Sequence, residues 1–305
     1  MASNQRSDQI YFPPPRGNWE RFDALPTRYF QSAIDHALKN ESLLDRNIQK
    51  ALENRAFAEP PPWGDIIGKT RSREDPHGLI ILNGKVAAKW GDTQRPDITF
   101  SVAKSFLSIC AGLLQDDGLI PDFDAPISDL VNDGGFDSPH NKSITWRQMM
   151  QMTSEWQGSM WGKPDQVDHN RDLNVAPKDN ADKGNERALK SPGTHWEYND
   201  VRVNRLALAL LRVAERPLPD LLRERIMDPI GASNDWEWHG YENSWVEINN
   251  QNIQSVSGGS HWGGGMFISS EDQARVGYLI LNKGIWNGER LLLSLIHISE
   301  PTRPY

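Results

Sequence analysis

Apolar residues recur every three or four positions over some stretches of the chain and form short uninterrupted runs over others, and the two patterns mark different elements. From Pro26 to about Phe57 the pattern is helical, and the breaker run Glu59–Gly64, EPPPWG, ends it. The runs Gly78–Leu82 and Lys85–Trp90 flank Asn83-Gly84. Asn-Gly tolerates the positive φ of a type I′ turn, so a hairpin is predicted here. After Ser101 the apolar positions Val102, Ala103, Phe106, Leu107, Ile109, Cys110, Leu113 and Leu114 describe a helix buried on most of its surface, closed by Asp116-Asp117-Gly118. Further helices are predicted over Thr145–Met152 and Val201–Glu215, after Pro217 and Pro219, and over Ser270–Gly284. The last of these follows Ser257–Ser269, a glycine-rich approach to a strand. Between Gly162 and Thr194 a polar segment has no periodicity, which predicts a solvated loop or, as the alternative, a functional lid. Residues 1–25, stiffened by Pro13-Pro14-Pro15, predict a loosely held arm.

Composition narrows the function classes. The 305 residues can bury a substantial core, and 37% hydrophobic with 24% charged residues describes a soluble globular protein. A net charge of −8 provides no basic field for nucleic acid or an anionic membrane surface, so neither is an expected partner. The single cysteine, Cys110, excludes an intramolecular disulfide framework and a four-cysteine zinc site. No apolar h-region opens the chain and no apolar run reaches bilayer length, so the expected location is cytoplasmic. The eight histidines lack HExxH spacing, and neither a catalytic metal nor a cofactor is expected. Gly64–Thr70, GDIIGKT, is one residue short of a P-loop, and there is no Gly-x-Ser-x-Gly elbow.

Candidate chemistry begins in Phe100–Phe106, FSVAKSF, where Lys104 stands three residues after Ser101. About one such spacing is expected by chance in this composition, so the context has to carry the weight. Ser101, Lys104, Ser105 and Ser108 form one polar stripe on an otherwise apolar helix. A lysine buried there must find a partner or lose its proton, because burial disfavours the ammonium form. A neutral lysine is what a general base requires. A serine in the first helical turn also lies near unpaired backbone N–H groups, which can stabilise an oxyanion. The alternative is that Ser101 caps the helix and Lys104 reaches to solvent.

The run Ile98–Val131 resembles the first motif region of the serine β-lactamase and penicillin-binding-protein superfamily, in particular its class C branch with esterases and 6-aminohexanoate-dimer-hydrolase-like amidases. The resemblance continues in order through Ser143–Trp156, Ser191–Leu211 and Gly263–Gly284, and spans about Gly78 to Leu292. It implies an α+β fold, an antiparallel β-sheet flanked by helices with an inserted mainly helical lobe. The implied single domain covers 26–292, with the α/β part at about 26–118 and 250–292 and the helical lobe at about 119–249. It also implies a Ser-Lys-Tyr acyl-enzyme mechanism on a small-molecule ester, amide or lactam. Without a secretion signal, an ester or amide is favoured over a β-lactam. The alternative is a catalytically weak or inactive binding protein that keeps the fold.

The family's Tyr-x-Asn motif matches Tyr198-Asn199-Asp200, with aspartate in the third place. Asp200 accepts hydrogen bonds but, ionised, donates none, so it could hold the lysine ammonium or cap the following helix. Tyr241-Glu242-Asn243 matches the motif in full but lacks the flanking context. The resemblance therefore implies Ser101, Lys104 and Tyr198 as catalytic residues, and Asp200, Trp156, His261, Trp262 and Gly264 as supporting or substrate-binding ones. A third motif, Lys-Thr-Gly or His-x-Gly, is expected after the Gly263–Leu281 region and is not in this chain, while His261-Trp262-Gly263 precedes that region. Leu293–Arg303, LSLIHISEPTR, resembles a translated sequencing adapter, so residues 293–305 are expected to be a non-native tail on a truncated chain.

Overall fold

The computed structural model describes residues 10–15, 19–174 and 180–293. The helical pattern of 26–57 is divided rather than continuous: a 3-10 turn at Thr27–Phe30, helix α1 (Gln31–Lys39) and helix α2 (Ile48–Glu53). Two asparagines cause the break, because a short amide side chain competes for backbone partners. Asn40 donates to the His36 carbonyl at 2.8 Å and ends α1, and Asn47 accepts from the Lys50 N–H at 3.0 Å and starts α2. The hairpin forms as predicted, β1 (Gly78–Leu82) against β2 (Lys85–Trp90), with Asn83 and Gly84 at φ 51° and 78°. Strand β3 (Asp97–Ile98) leads through a 3-10 turn (Phe100–Val102) into α3 (Ala103–Asp116).

Next come α4 (Trp146–Met150), opened by a capping box between Thr145 and Gln148, and the two-residue strands β4 (Ser159–Met160) and β5 (Lys163–Pro164). Helix α5 (Asp200–Ala214) is capped by Asn199, and α6 (Leu218–Leu222) runs on into a π-helical turn, Arg223–Met227. Strands β6 (Glu237–Ile248), β7 (Gln251–Val256) and β8 (Gly265–Ile268) precede α7 (Ser270–Leu281), which Ser269 caps. Strands β9 (Ile285–Trp286) and β10 (Glu289–Arg290) form the last hairpin described.

The fold is α+β. Its main sheet is antiparallel, in the order β3-β8-β6-β7. Helix α3 lies in the centre of the core, and its residue Cys110 is buried, which pushes the thiol pKa up to about 12. Helix α5 packs on α3 and on β7. Among the described residues no helix is long and apolar enough to cross a membrane.

Two sequence expectations change. The described part of the N-terminal arm is held: Trp19 donates to the Gly84 carbonyl at 2.6 Å, and Glu20 and Phe22 hydrogen-bond to Val86. The polar segment 162–194 is not simply solvated, since Lys163, Asp165, Asp168, His169 and Lys183 are buried. Its charges neutralise one another and their neighbours, which lets a polar composition enter the interior. The adapter-like stretch falls outside the described residues beyond Leu293.

Candidate active site

The pairing of β3 with β8, extended by Thr99 N–H donating to the Met266 carbonyl at 2.9 Å, fixes the chain just before Ser101. Phe100 then adopts φ 47°, a left-handed conformation unusual for a bulky residue, and the chain turns sharply into the helix. Ser101 sits in the resulting 3-10 turn and Lys104 in the first turn of α3. The Lys104 side chain is only 12% exposed. Its Nζ donates to Ser101 Oγ at 3.1 Å, Asp200 Oδ1 at 2.5 Å and the Gly258 carbonyl at 3.2 Å. It also lies 4.8 Å from the centre of the Tyr198 ring.

Asn199 sets the other side of this contact. Its side chain accepts from Arg202 N–H at 3.1 Å as the α5 cap and donates to the Asp165 carbonyl at 2.7 Å. Tyr198 is thereby left just outside the helix and Asp200 in its first turn, buried to 1% exposure. The electrostatics reverse the expectation for the lysine. Burial alone would favour the neutral amine, but the charge of Asp200 and its hydrogen bond raise the Lys104 pKa above its ordinary value. Asp200 moves the opposite way: burial opposes ionisation, yet His261, Lys104 and Arg171 hold its carboxyl far below the usual range.

Beyond Asp200 the charges continue inward. Arg171 Nη1 is 3.0 Å from Asp200 Oδ2 and 3.5 Å from Asp168 Oδ1, and its guanidinium carbon lies 4.9 Å from the Tyr198 ring centre. His261 Nε2 is 3.1 Å from Asp200 Oδ2, Nδ1 is 3.3 Å from Glu59 Oε1, and the imidazole stacks on Phe57 at 4.5 Å. Lys183 Nζ reaches Glu59 Oε1 at 3.0 Å and Asp168 Oδ1 at 3.2 Å. Against the penalty of burial, His261 and Lys183 bring the Glu59 pKa down to about 2. Asp168 Oδ2 accepts the Asp200 backbone N–H at 2.8 Å. Asp168, Asp200 and His261 bring potential metal-ligand atoms within 4.8 Å of one another. Lys104, Arg171 and Lys183 already face those carboxylates, so the group is a neutralised ion-pair network and is not assigned as a metal site.

Ser101, Lys104, Tyr198, Asp200 and His261 are thus brought together. Trp262 is fully buried beside His261, with its indole N–H donating to the Trp63 carbonyl at 2.8 Å. Gly264, at φ 67°, contributes backbone: its N–H donates to the Lys69 carbonyl at 2.9 Å. Trp156 is buried in the core, and its indole N–H donates to the Gly135 carbonyl at 2.7 Å. Tyr241, in the second motif match, is buried beneath the site. Its hydroxyl accepts from Ser257 Oγ at 2.8 Å, and Asn204, its other partner, accepts from Gly258 N–H at 3.2 Å. The Gly258 carbonyl that receives Lys104 is therefore held from below.

Sequence reasoning did not single out Arg171, Asp168, Lys183 or Glu59. The first three lie in the aperiodic polar segment and Glu59 in a helix breaker, and neither setting signals a buried charge. The only available sign was that opposite charges occur in that segment in comparable numbers.

A family model described as Beta-lactamase matches residues 80–299. Among solved structures the chain is similar to an octameric penicillin-binding protein homologue from Pyrococcus abyssi, at 15% identity and TM-score 0.48, covering 73% of this chain and 54% of that one. It is also similar to a Bacillus anthracis chain assigned as a 6-aminohexanoate-dimer hydrolase, at 19% identity and TM-score 0.46, covering 72% and 58%. A third is a D-amino acid amidase from Ochrobactrum anthropi, at 18% identity and TM-score 0.44, covering 66% and 59%. The chain spans less than two thirds of the length of each of these three. No curated protein matches.

Proposed function

The chain belongs to the beta-lactamase family, and from that premise we propose that it is a serine hydrolase that cleaves a small-molecule ester or amide through an acyl-enzyme on Ser101. The observation that carries this reading is Lys104 Nζ, 3.1 Å from Ser101 Oγ and bonded at the same time to Asp200. Ser101 Oγ attacks the carbonyl carbon, and its proton passes to the Lys104–Tyr198 pair. The same pair delivers the proton to the departing alcohol or amine, which leaves as the tetrahedral intermediate collapses. Water then attacks the acyl ester, and Ser101 regains its proton. Asp200 orients the lysine and His261 backs Asp200. An ester or amide is favoured over a β-lactam, in the cytoplasm and without a metal or cofactor.

The test is mass spectrometry after exposure to a fluorophosphonate. An adduct is expected on the peptide carrying Ser101, and Ser101→Ala should lose it along with ester turnover, by at least on the order of 10³-fold. The raised proton affinity of Lys104 favours a second reading, a weak or inactive relative that binds ligand without turning it over. An unlabelled Ser101, with turnover unaffected by Ser101→Ala, would sink the hydrolase reading and leave the second.

A further inference from the structure

Lys104 is surrounded by few groups. Ser101 faces it from the preceding turn, Asp200 from the first turn of α5, Tyr198 from the residue before that helix's cap, and the Gly258 carbonyl from the glycine loop. Asp200 has two oxygens, and they are shared unequally: Oδ1 serves Lys104, while Oδ2 lies 3.0 Å from Arg171 Nη1 and 3.1 Å from His261 Nε2. Arg171 also lies over the ring of Tyr198, as Lys104 does. Both cations therefore contact both the carboxylate and the phenol. Behind them, Asp168, Glu59 and Lys183 complete the buried charges.

We propose that Arg171 is a positioning residue for acyl transfer: by taking the second oxygen of Asp200 and a face of Tyr198, it limits how tightly the carboxylate holds the Lys104 ammonium. This rests on the serine-hydrolase reading. A buried carboxylate beside a single ammonium stabilises the proton on that ammonium strongly, and a second cation on the same carboxylate weakens the effect, because like charges a few ångströms apart disfavour each other. Arg171 is suited to this because a guanidinium stays charged throughout the working range. Its position also keeps Asp200 from turning both oxygens onto Lys104, which would draw the amine from Ser101 Oγ. Removing Arg171 takes a positive charge from beside Asp200 and so leaves the Lys104 ammonium more tightly held.

The measurement is the rate of fluorophosphonate labelling of Ser101 as a function of pH, which needs acylation alone and no later step. In Arg171→Gln the midpoint of the rising limb should move up by about one pH unit, with labelling near neutrality slowed by about tenfold. Arg171→Lys, which keeps the charge, should stay close to the parent midpoint. A midpoint unchanged in Arg171→Gln, in protein whose circular dichroism melt shows it folded, overturns the role given to Arg171 and leaves the hydrolase reading intact. If Arg171→Gln fails to fold, Arg171→Lys decides: a parent-like midpoint supports the proposal and a shift as large as one unit overturns it. Absence of labelling in the parent at every pH overturns the hydrolase reading, and this inference with it.

Discussion

Asp200 decides the character of the site. An asparagine there would offer Lys104 a neutral carbonyl, whereas the carboxylate offers a full charge at 2.5 Å in a buried site. Asp200→Asn should therefore lower the proton affinity of Lys104 and move the rising limb of Ser101 labelling to lower pH, opposite to the change from Arg171→Gln. The same substitution leaves Lys104 and Arg171 under-compensated in the interior, and breaking a buried pair in this way costs about 3–5 kcal/mol. Urea unfolding would read that loss, and a variant as stable as the parent would refute the picture of a charge-balanced network. The reversal at Lys104 also shows what a local sequence cannot convey. The Ser-x-x-Lys spacing and Tyr198-Asn199-Asp200 were legible in the sequence, but the sign of the lysine's shift depended on how close Asp200 comes and what else holds it.

At the level of elements, helix starts carry the site. The α5 cap places Tyr198 and Asp200 on either side of Asn199, whose amide serves both Arg202 N–H and the Asp165 carbonyl. Asn199→Ala should cost about 1–2 kcal/mol, seen as a lower urea midpoint with an unchanged slope, and Ser101 labelling should slow as Asp200 loses its fixed position. Elements of this kind were readable because their causes are local: Asn83-Gly84 for the hairpin, Thr145 with Gln148 for α4, Ser269 for α7. The break at 40–47 was not, since apolar periodicity continues across two asparagines that end one helix and begin the next. The buried charges of 163–187 were not readable either. Lys183 pairs with Glu59 across 124 residues, and no window of sequence contains that partnership. The neighbour of Trp156 was not readable for a related reason: an indole with one polar edge suits a pocket wall and a core site equally, and only the fold shows that it donates to Gly135.

Over the whole molecule, the buried carboxylates set a shared pH limit. Burial opposes ionisation of Glu59 and Glu155, yet ion pairs hold both at about 2, Glu59 through His261 and Lys183, and Glu155 through Arg187 and Arg202. Asp165 and Asp200 are depressed as well. Groups whose folded pKa is depressed contribute stability that is complete above their unfolded pKa and is lost as pH falls through the folded one. The melting temperature should therefore be level above about pH 5 and drop steeply between about pH 4.5 and 2. Thermal melts by circular dichroism across that range are the check, and a melting temperature unchanged down to pH 3 would contradict it.

The partners of Lys104 carry one more consequence. Asp200 lies 96 residues further along the chain and Gly258 lies 154 further. Closing such spans is slow and costs chain entropy before any contact repays it. As the polypeptide emerges from the ribosome, Ser101 and Lys104 appear long before the residues that orient them. On the proposed hydrolase reading, Ser101 would gain its reactivity only once the segments carrying Asp200 and Gly258 have docked against Lys104, so fluorophosphonate labelling would serve as a clock for the completion of folding.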